Sequence, residues 1–229
     1  MKVAGIILMI AEFDEALITE AKRKKTSFVF QDLGVVGERV SNIILDYAVG
    51  IDEAVQHLVS LGHKEIIHIA GAHEIHSAGV RRQAFIDAMK KHLPKASDPK
   101  IYEGDFRFDG GRLAASRVLA EKTLPTAVVV ANDLMALGAM QEFKAAGLHI
   151  PNDISIVGFD DISFASLSEP ALTTVCSPRV EIGRRAFEAL MLTVDKPHQM
   201  GVEIRVPTYL IKRESTAPPR RSGDPRRSR

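Results

Sequence analysis

The feature that most constrains this chain is a regular alternation of short apolar runs with stretches whose apolar residues recur at helical spacing. Between Ile51 and Leu61, for example, the apolar positions form one helical stripe, and the stretch stops at Gly62, a residue suited to ending a helix. The helical stretch Ala139–Ala146 likewise stops at Gly147. Strands that alternate with helices at this spacing require right-handed crossovers and give parallel sheets covered by helices. The sequence therefore predicts an α/β fold, with strands in Val3–Met9, Ser27–Phe30, Ile43–Leu45, Glu65–Ile69, Ile101–Glu103, Ala127–Val130, Ile154–Val157 and Thr173–Val175.

Composition and charge narrow the class of protein further. The 229 residues are 45% hydrophobic, enough for one large or two small domains, and the net charge of +1 provides no general field for binding polyanions. The single cysteine, Cys176, excludes an intramolecular disulfide. No apolar run reaches the length of a membrane span, and the start of the chain does not have the pattern of a signal peptide. We therefore expect a soluble, cytoplasmic protein.

Acidic and amide side chains follow several predicted strands at the point where each apolar run ends. They are Asp32, Asp46, Asp105 with Phe106, Asn132 with Asp133, and Asp160 with Asp161. Open parallel sheets bind ligands outside the carboxyl ends of their strands. Because carboxylates and amides pair with vicinal hydroxyls, and an aromatic ring packs on the apolar face of a sugar, the set predicts a site for a polyhydroxylated ligand. For Asp133 and Asp161 taken singly, capping of the following helix is the alternative.

Several longer stretches resemble the ligand-binding core of the lactose-repressor/galactose-repressor (LacI/GalR) family. They are LPTAVVVANDLMALGAM (124–140), IPNDISIVGFDD (150–161), EPALTTV (169–175) and KRESTAPP (212–219). The resemblance runs from about Val3 to Pro219. It implies a periplasmic-binding-protein-like fold of two parallel-sheet, Rossmann-like lobes, between which the chain crosses three times. The implied N-terminal lobe takes residues 1–46 and about 176–202, the C-terminal lobe takes 47–175 and about 203–214, and 215–229 form a disordered basic tail.

The resemblance also implies a function. Members of the family bind a small effector, usually a sugar or a nucleobase, in the cleft, and as homodimers they regulate transcription by binding operator DNA through an N-terminal helix-turn-helix head. We expect the effector of this chain to be a sugar. Carried over by motif, the expected effector contacts are Asp32, Ser77, Arg81, Phe106, Asn132 and Asp160, with Asp46 and Tyr47 as possible further contacts. Tyr47 stands where Asn is common in the family.

The first stretch of the chain departs from the family pattern. VAGIIL (3–8) resembles the third strand of the family's N-terminal lobe, not its first. The implied N-terminal lobe is then incomplete, and the DNA-binding head lies outside the sequence as given. From this we expect no sequence-specific operator binding by this chain alone, and we expect the first ~45 residues to be loosely held, because open sheet edges and uncovered apolar strands are unfavourable.

The sequence offers little support for a metal site or an enzyme. His63, His68, His73 and His76 lie close together in sequence, but neither a His-Glu-x-x-His motif nor paired cysteines provide metal-ligand spacing, so we predict no metal and no other cofactor. No Gly-x-Ser-x-Gly elbow is present, and we predict that the protein is not an enzyme. A periplasmic-type sugar-binding protein of a transporter, or a fragment without function, stays open as the alternative to a regulator.

Overall fold

The computed structural model describes residues 3–9, 19–20, 23, 26–34, 36–96, 98–196 and 198–220. In chain order, the strands and helices are β1 (Gly5–Leu8), β2 (Ser27–Gln31), β3 (Val40–Asp46), α1 (Tyr47–Ser60), β4 (Ile66–Ala70), α2 (His76–His92), β5 (Ile101–Glu103), α3 (Phe108–Leu119), β6 (Ala127–Val130), α4 (Asp133–Ala145), β7 (Ser155–Asp160), α5 (Ser163–Leu167), β8 (Thr173–Cys176), α6 (Arg179–Thr193), β9 (Glu203–Pro207) and β10 (Tyr209–Ile211). The predicted α/β alternation is confirmed. No helix of the described part of the chain is long and apolar enough to cross a membrane.

The chain divides into two compact units, and it passes between them three times. Unit 1 comprises Met1–Asp46 and Pro178–Thr208, and unit 2 comprises Tyr47–Ser177 and Tyr209–Arg229. The sequence placed the last passage near residue 203, whereas the structure has it after Thr208. The physical reason is that β9 pairs in parallel with β3, from the Asn42–Glu203 pair to the Asp46–Pro207 pair, so that this whole strand belongs to unit 1.

In the described part of unit 1, four strands form a parallel sheet in the order β1-β2-β3-β9. Its core contains Phe28, Phe30 and Val40, and the rings of the two phenylalanines stack with their centroids 5.9 Å apart. Helix α6 packs against all four strands. Its Leu190 lies so close to β1 that a Cβ added at Gly5 would be 2.7 Å from Cδ1 of Leu190. Unit 1 therefore has a small core of its own, covered by α6.

Unit 2 contains a sheet of six strands in the order β10-β8-β7-β6-β4-β5, of which only β10 runs antiparallel to its neighbour. Its strands β4, β6 and β8 are buried at every position, as expected for a parallel sheet covered on both faces. Helices α3 and α4 pack closely, because Gly138 has no side chain. A Cβ at this position would lie 2.0 Å from the carbonyl oxygen of Phe108. This close approach fixes the helices that follow β5 and β6.

The helix ends predicted at two glycines agree with the structure. Helix α1 ends at Ser60 and α4 ends at Ala145, and the following Gly62 and Gly147 have φ angles of +101° and +84°. Such left-handed backbone terminates a helix without strain only where there is no side chain. Helix α1 begins at Tyr47, four residues before the predicted stripe at Ile51, since its first turn directly continues β3.

The C-terminal segment differs from its prediction as a disordered tail. Residues 215–220 are described, and Ser215 is fully buried; its hydroxyl donates to the carbonyl of Ile156 at 2.6 Å and accepts from the amide of Thr173 at 2.8 Å. The amide of Ala217 donates to Oγ of Ser155 at 3.0 Å. These bonds bind the segment to the strands of unit 2, which a reading of composition could not foresee. Residues 221–229, which complete the predicted tail, lie outside the described residues.

We expect amide hydrogen exchange to be faster in β1 than in β6. β1 ends the described sheet of unit 1, with Val3 just before it 67% exposed and Ile7 36% exposed, whereas all four residues of β6 are buried. Opening an edge strand exposes little additional apolar surface, so its local opening costs little free energy. Exchange measured on the monomer tests this, with β2 as the internal reference. Equal protection in β1 and β6 would contradict the expected looseness of the first ~45 residues.

Candidate functional site

The carboxyl ends of the parallel strands of unit 2 bring polar groups to one edge of its sheet. β4 has β5 on one side and β6 on the other, so that the strand order reverses between β4 and β6. Open α/β sheets bind ligands in the crevice that such a reversal leaves. The carbonyl of Ala131, directly after β6, accepts a hydrogen bond from Nη1 of Arg81 on α2, the helix that follows β4. Arg81 thus bridges the two strand ends at the reversal.

Arg81 is charged and yet only 7% exposed, and three aromatic rings surround its guanidinium group. The guanidinium carbon lies 4.1 Å from the ring centroid of Phe159, 4.8 Å from that of Tyr47 and 5.7 Å from that of Phe106. The electron-rich ring faces attract the cation, and they also fix the directions of its donors. Nη2 donates to Oδ1 of Asp160 at 3.4 Å. We name the following set the carboxyl-end cluster: Tyr47, Arg81, Phe106, Asn132, Phe159 and Asp160.

Asn132 caps α4 and holds Phe106 at the same time. Its Oδ1 accepts from the amide of Met135 at 3.0 Å, and its Nδ2 donates to the carbonyl of Phe106 at 2.9 Å. Phe106 has a φ of +66°, in the left-handed region that a bulky residue occupies only when its surroundings require it. Asn132 is therefore a helix cap and a support for the aromatic ring. An amide carries a second hydrogen and a second lone pair, which can serve a ligand.

Asp160 and Asp161 are consecutive residues with left-handed backbone at the end of β7. Their φ angles are +110° and +53°. Asp160 lies beside Arg81, while Oδ1 of Asp161 accepts from Nη2 of Arg213 at 2.6 Å. Arg213 is held in turn by the carbonyl of Leu172, at 2.8 Å. Each carboxylate thus has its own arginine. Asp161 is part of an ion pair, and the residue at the N-cap position of α5 is Ile162.

Asp133 was open to interpretation as a simple helix cap, and it does begin α4, but its bonds run elsewhere. The residue is fully buried; Oδ1 accepts from the hydroxyl of Thr174 at 2.6 Å and Oδ2 accepts from the amide of Ile162 at 2.9 Å. Burial raises the pKa of its carboxyl to about 7, and nearby Asp160 and Asp161 raise it as well, whereas the two hydrogen bonds lower it. Asp133 is therefore a buried acid that fastens the loop after β7.

In unit 1, Asp32 directly follows β2, and Asp46 is the last residue of the neighbouring β3. Asp32 has a φ of +56°, and its Oδ1 accepts from the amide of Leu45 at 2.9 Å. The carbonyl of Asp46 accepts from the hydroxyl of Thr208 at 2.7 Å, while both aspartates are half-buried. The two predicted contacts thus lie at one edge of the unit 1 sheet, and Asp32 also ties β2 to β3.

Ser77 lies in the first turn of α2, about one turn before Arg81. The helix begins at His76 without a side-chain cap, because Ile75 cannot supply one. In this first turn, the amides of Ala78 and Gly79 donate to the carbonyl of Ile75 at 2.9 and 3.4 Å. Ser77 is half-buried at this position, so its hydroxyl remains a predicted effector contact.

Two of the four histidines noted in the sequence, His63 and His68, have structural partners, whereas His73 and His76 are exposed. His68 is buried in β4, where its ring stacks on Phe85 at 4.9 Å and its Nδ1 donates to the carbonyl of Val129 at 2.8 Å. Burial lowers the pKa of His68 to about 4. His63 bonds through Nε2 to the carbonyl of Ala217 at 2.8 Å. Among the described residues, no group of three or more histidine, cysteine, aspartate or glutamate side chains is placed to hold a metal ion.

Sequence reasoning missed three contributors to this edge of the sheet. Phe159, which follows the predicted strand Ile154–Val157, was not named among the site residues, although an aromatic residue directly before a strand-end acid was a usable signal. Thr174 lies within β8 and bonds to Asp133, a contact that no local pattern indicates. Ala131 contributes a backbone carbonyl, which is invisible in the identity of its side chain.

Comparison with known proteins agrees with this arrangement. The family model for the periplasmic binding protein-like domain matches residues 55–216. The HTH-type transcriptional repressor PurR of Erwinia tasmaniensis is 32% identical over 218 residues, which cover 94% of this chain and 64% of that protein. The probable HTH-type transcriptional repressor ExuR of Bacillus subtilis is 31% identical over 216 residues, covering 94% and 65%. The chain thus spans slightly less than two thirds of the length of these curated relatives.

Solved structures show the same similarity. A LacI transcriptional regulator from a Rhodococcus species has a TM-score of 0.86 at 28% identity, covering 95% of this chain and 80% of that one. A dimeric Lac repressor with an 11-residue C-terminal deletion has a TM-score of 0.82 at 30% identity, covering 95% and 79%. A LacI family regulator from Enterococcus faecium with bound ribose has a TM-score of 0.84 at 26% identity, covering 93% and 80%.

Two α/β units joined by three passages, with polar groups at the carboxyl ends of their strands, define a ligand-binding domain of the periplasmic-binding-protein type. The chain belongs to the periplasmic binding protein-like domain family, in the branch formed by the effector-binding domains of LacI family regulators.

Proposed function

We propose that this chain binds a sugar through the carboxyl-end cluster and serves as the effector-binding part of a transcription regulator, without converting its ligand. The observation that carries the proposal is the placement of Arg81 beside Asp160 among three aromatic rings. A fixed donor next to an acceptor matches the vicinal hydroxyls of a sugar, and an aromatic face suits its apolar side.

Similar proteins with bound ligands support a sugar as the effector. One neighbouring structure contains ribose, and another is a complex of the transcriptional regulator CelR with cellobiose, at 31% identity and a TM-score of 0.82. The regulator role is supported by relatives named as HTH-type repressors, and by a lac repressor dimer bound to operator. Binding to operator DNA is accordingly proposed for a regulator of the relatives' full length.

The predicted contacts contribute to binding in different ways in this proposal. Asp160 accepts from ligand hydroxyls, and Arg81 donates to ligand oxygens. Phe106 packs on the apolar side of the sugar, and Asn132 supports that ring and offers its remaining amide hydrogen. In unit 1, Asp32 after β2 and Asp46 at the end of β3 are proposed as further acceptors of hydrogen bonds from the ligand.

Isothermal titration calorimetry of the chain against D-ribose, D-galactose, cellobiose and a set of purine bases tests the proposed function. We expect one sugar to bind with a stoichiometry of one per chain, and we expect no purine to compete with it. The control variant is Asp87→Ala, an exposed carboxylate on α2 whose described partner is Gln83, and its affinity should equal that of the wild type. Binding of a purine and of no sugar would refute the sugar, and binding of no compound would refute the proposed function.

We also propose that the chain forms a homodimer through exposed apolar side chains of unit 2. They are Phe108, Leu113, Leu134, Phe164 and Leu167, on α3, α4 and α5. The three helices are neighbours, since α3 packs on α4 and the first residue of α4 bonds to the loop before α5. Exposed apolar residues on neighbouring helices are the kind of surface at which proteins associate, and this supports the proposed interface.

Replacing Leu167, which is 76% exposed, with glutamate is expected to convert the dimer to a monomer, because a carboxylate cannot enter an apolar interface without a partner. The matched control is Val180→Glu, which alters an 89% exposed apolar residue of unit 1. Sedimentation velocity should show a dimer for the control and a monomer for Leu167→Glu. A dimer in both variants would place the interface elsewhere.

A further inference from the structure

Asp133 has a feature that ligand contact does not explain: it is a fully buried acid whose two oxygens bond to two different elements. Oδ1 accepts from the hydroxyl of Thr174 on β8, and Oδ2 accepts from the amide of Ile162 in the loop after β7. Space for the carboxylate exists because position 158 is glycine, where a Cβ would lie 2.2 Å from Oδ1 of Asp133. The N-terminus of α4, the loop and β8 are thus joined at one carboxylate.

The Ile162 amide follows directly on the two left-handed aspartates. Asp160 and Asp161, with φ angles of +110° and +53°, lie between β7 and this bond. Left-handed backbone is unfavourable for a residue other than glycine, and it persists only where other interactions hold it. A bond from the next amide to a buried carboxylate supplies such a restraint, and it is stronger than a bond to a neutral acceptor.

We propose that Asp133 is a positioning residue for effector binding, because its ionised carboxylate holds the Ile162 amide and thereby fixes the direction of the Asp160 side chain. This inference deepens the proposed function and rests on it as far as the effector is concerned. The positioning itself is a property of the chain without ligand.

The charge of Asp133 is set by the groups that face it. Asp160 and Asp161 lie on one side, each beside an arginine, Arg81 and Arg213 respectively, and Thr174 contributes a neutral hydroxyl. Burial raises the pKa of Asp133 to about 7, so the carboxyl changes its charge near neutral pH. When it is protonated, one oxygen becomes a donor and the bond to Ile162 weakens. The loop should therefore be held more firmly above pH 7 than below it.

Amide hydrogen exchange of Ile162, followed by NMR from pH 5.5 to pH 8.5 on the chain without ligand, tests the positioning. After correction for intrinsic exchange, we expect the protection of Ile162 to rise about tenfold with pH in the wild type, as a charged acceptor replaces a neutral one. In Asp133→Asn, protection should be lower above pH 7 and independent of pH. A merely structural role would give the opposite trend, because burial of this acid makes the whole fold less stable as pH rises.

Two further variants keep this test decisive. Asp153→Asn is the matched control: Asp153 precedes β7 at the other end, and its Oδ2 accepts from the amide of His149 at 2.7 Å. It should leave the pH profile of Ile162 unchanged. Thr174→Val removes the second bond and should keep the rising profile, so it serves if Asp133→Asn does not fold. A flat profile for Ile162 in the wild type would overturn the proposal.

The dependence of effector binding on Asp133 is tested with D-ribose and cellobiose. We expect the wild-type affinity for a sugar that binds to rise about fivefold between pH 6 and pH 8, as the stronger bond to the loop forms, and we expect Asp133→Asn to show no such rise. If no compound of the calorimetry panel binds, the proposed function fails, and the pH profile of Ile162 still tests the positioning by itself. Binding without any pH dependence in the wild type would overturn the coupling.

Discussion

Replacing Asp160 with alanine is expected to weaken sugar binding about 100-fold, equivalent to roughly 3 kcal/mol at 25 °C. The carboxylate accepts from ligand hydroxyls in the proposed complex, and its loss leaves buried donors without a partner. It also removes the acceptor that Nη2 of Arg81 contacts at 3.4 Å. Calorimetry with the sugar identified in the panel measures the effect.

Two companion variants interpret that result. Asp160 has a φ of +110°, at which alanine is strained. Asparagine tolerates positive φ better, so Asp160→Asn separates the effect of losing the charge from the effect of straining the backbone. We expect it to lose less affinity than Asp160→Ala and to unfold at a similar temperature to the wild type. Asp87→Ala on α2 controls for the loss of an exposed carboxylate. Unchanged affinity in both Asp160 variants would remove this residue from the site.

Asp133→Asn is expected to change how the stability of the fold depends on pH. Burial raises the pKa of Asp133 from its ordinary value of 3.8 to about 7. Between pH 3.8 and pH 7, the carboxyl is therefore protonated in the folded chain and ionised in the unfolded chain. This contribution to stability is fully present below pH 3.8 and is lost as pH rises through 7. Through this group, the wild type should lose about 2.5 kcal/mol of unfolding free energy between pH 5 and pH 8. The asparagine variant lacks the titration.

Urea unfolding at pH 5 and at pH 8 measures this difference. The comparison is between variant and wild type at each pH, so that titration of all other groups cancels; the variant should gain relative to the wild type at pH 8. Asp87→Asn, an exposed carboxylate of the same unit, should differ from the wild type by the same amount at both values. An Asp133→Asn difference that does not change with pH would show that the carboxyl does not titrate in this range.

The recurrence of apolar residues made most of the fold predictable. Strands β1 to β8 were all recognised as apolar runs, because a parallel sheet buried on both faces requires such runs. Strands β9 and β10 were missed. β9, Glu203–Pro207, has only Val206 fully buried, and β10 is short and antiparallel, so neither forms a continuous apolar run. Their partner strands are distant along the chain: Glu203 of β9 pairs with Asn42 of β3, and Tyr209 of β10 pairs with Cys176 of β8 across α6 and β9.

The candidate site was predictable in its location and less so in its contacts. The polar residues at strand ends and the family resemblance identified Arg81, Phe106, Asn132 and Asp160, and the structure brings these four together with Tyr47 at one edge of unit 2. Effector contact by any of them stays a prediction. The cap interpretation of Asp133 was incomplete, because its partners Ile162 and Thr174 come from elements 29 and 41 residues away.

What the sequence determined by itself was the class of fold, the ends of α1 and α4, and the set of acids and amides at the strand ends, since these follow from periodicity and from residue type. Only the tertiary structure decided that Arg81 is buried among three rings, that Asp161 is paired with Arg213, and that Asp133 is an acid with a pKa of about 7. The physical reason is that burial and charge at a residue are set by neighbours across the sheet. A local pattern determines the position of a residue at the end of a strand or helix, whereas the packing of distant strands determines how buried its side chain is and which charges surround it.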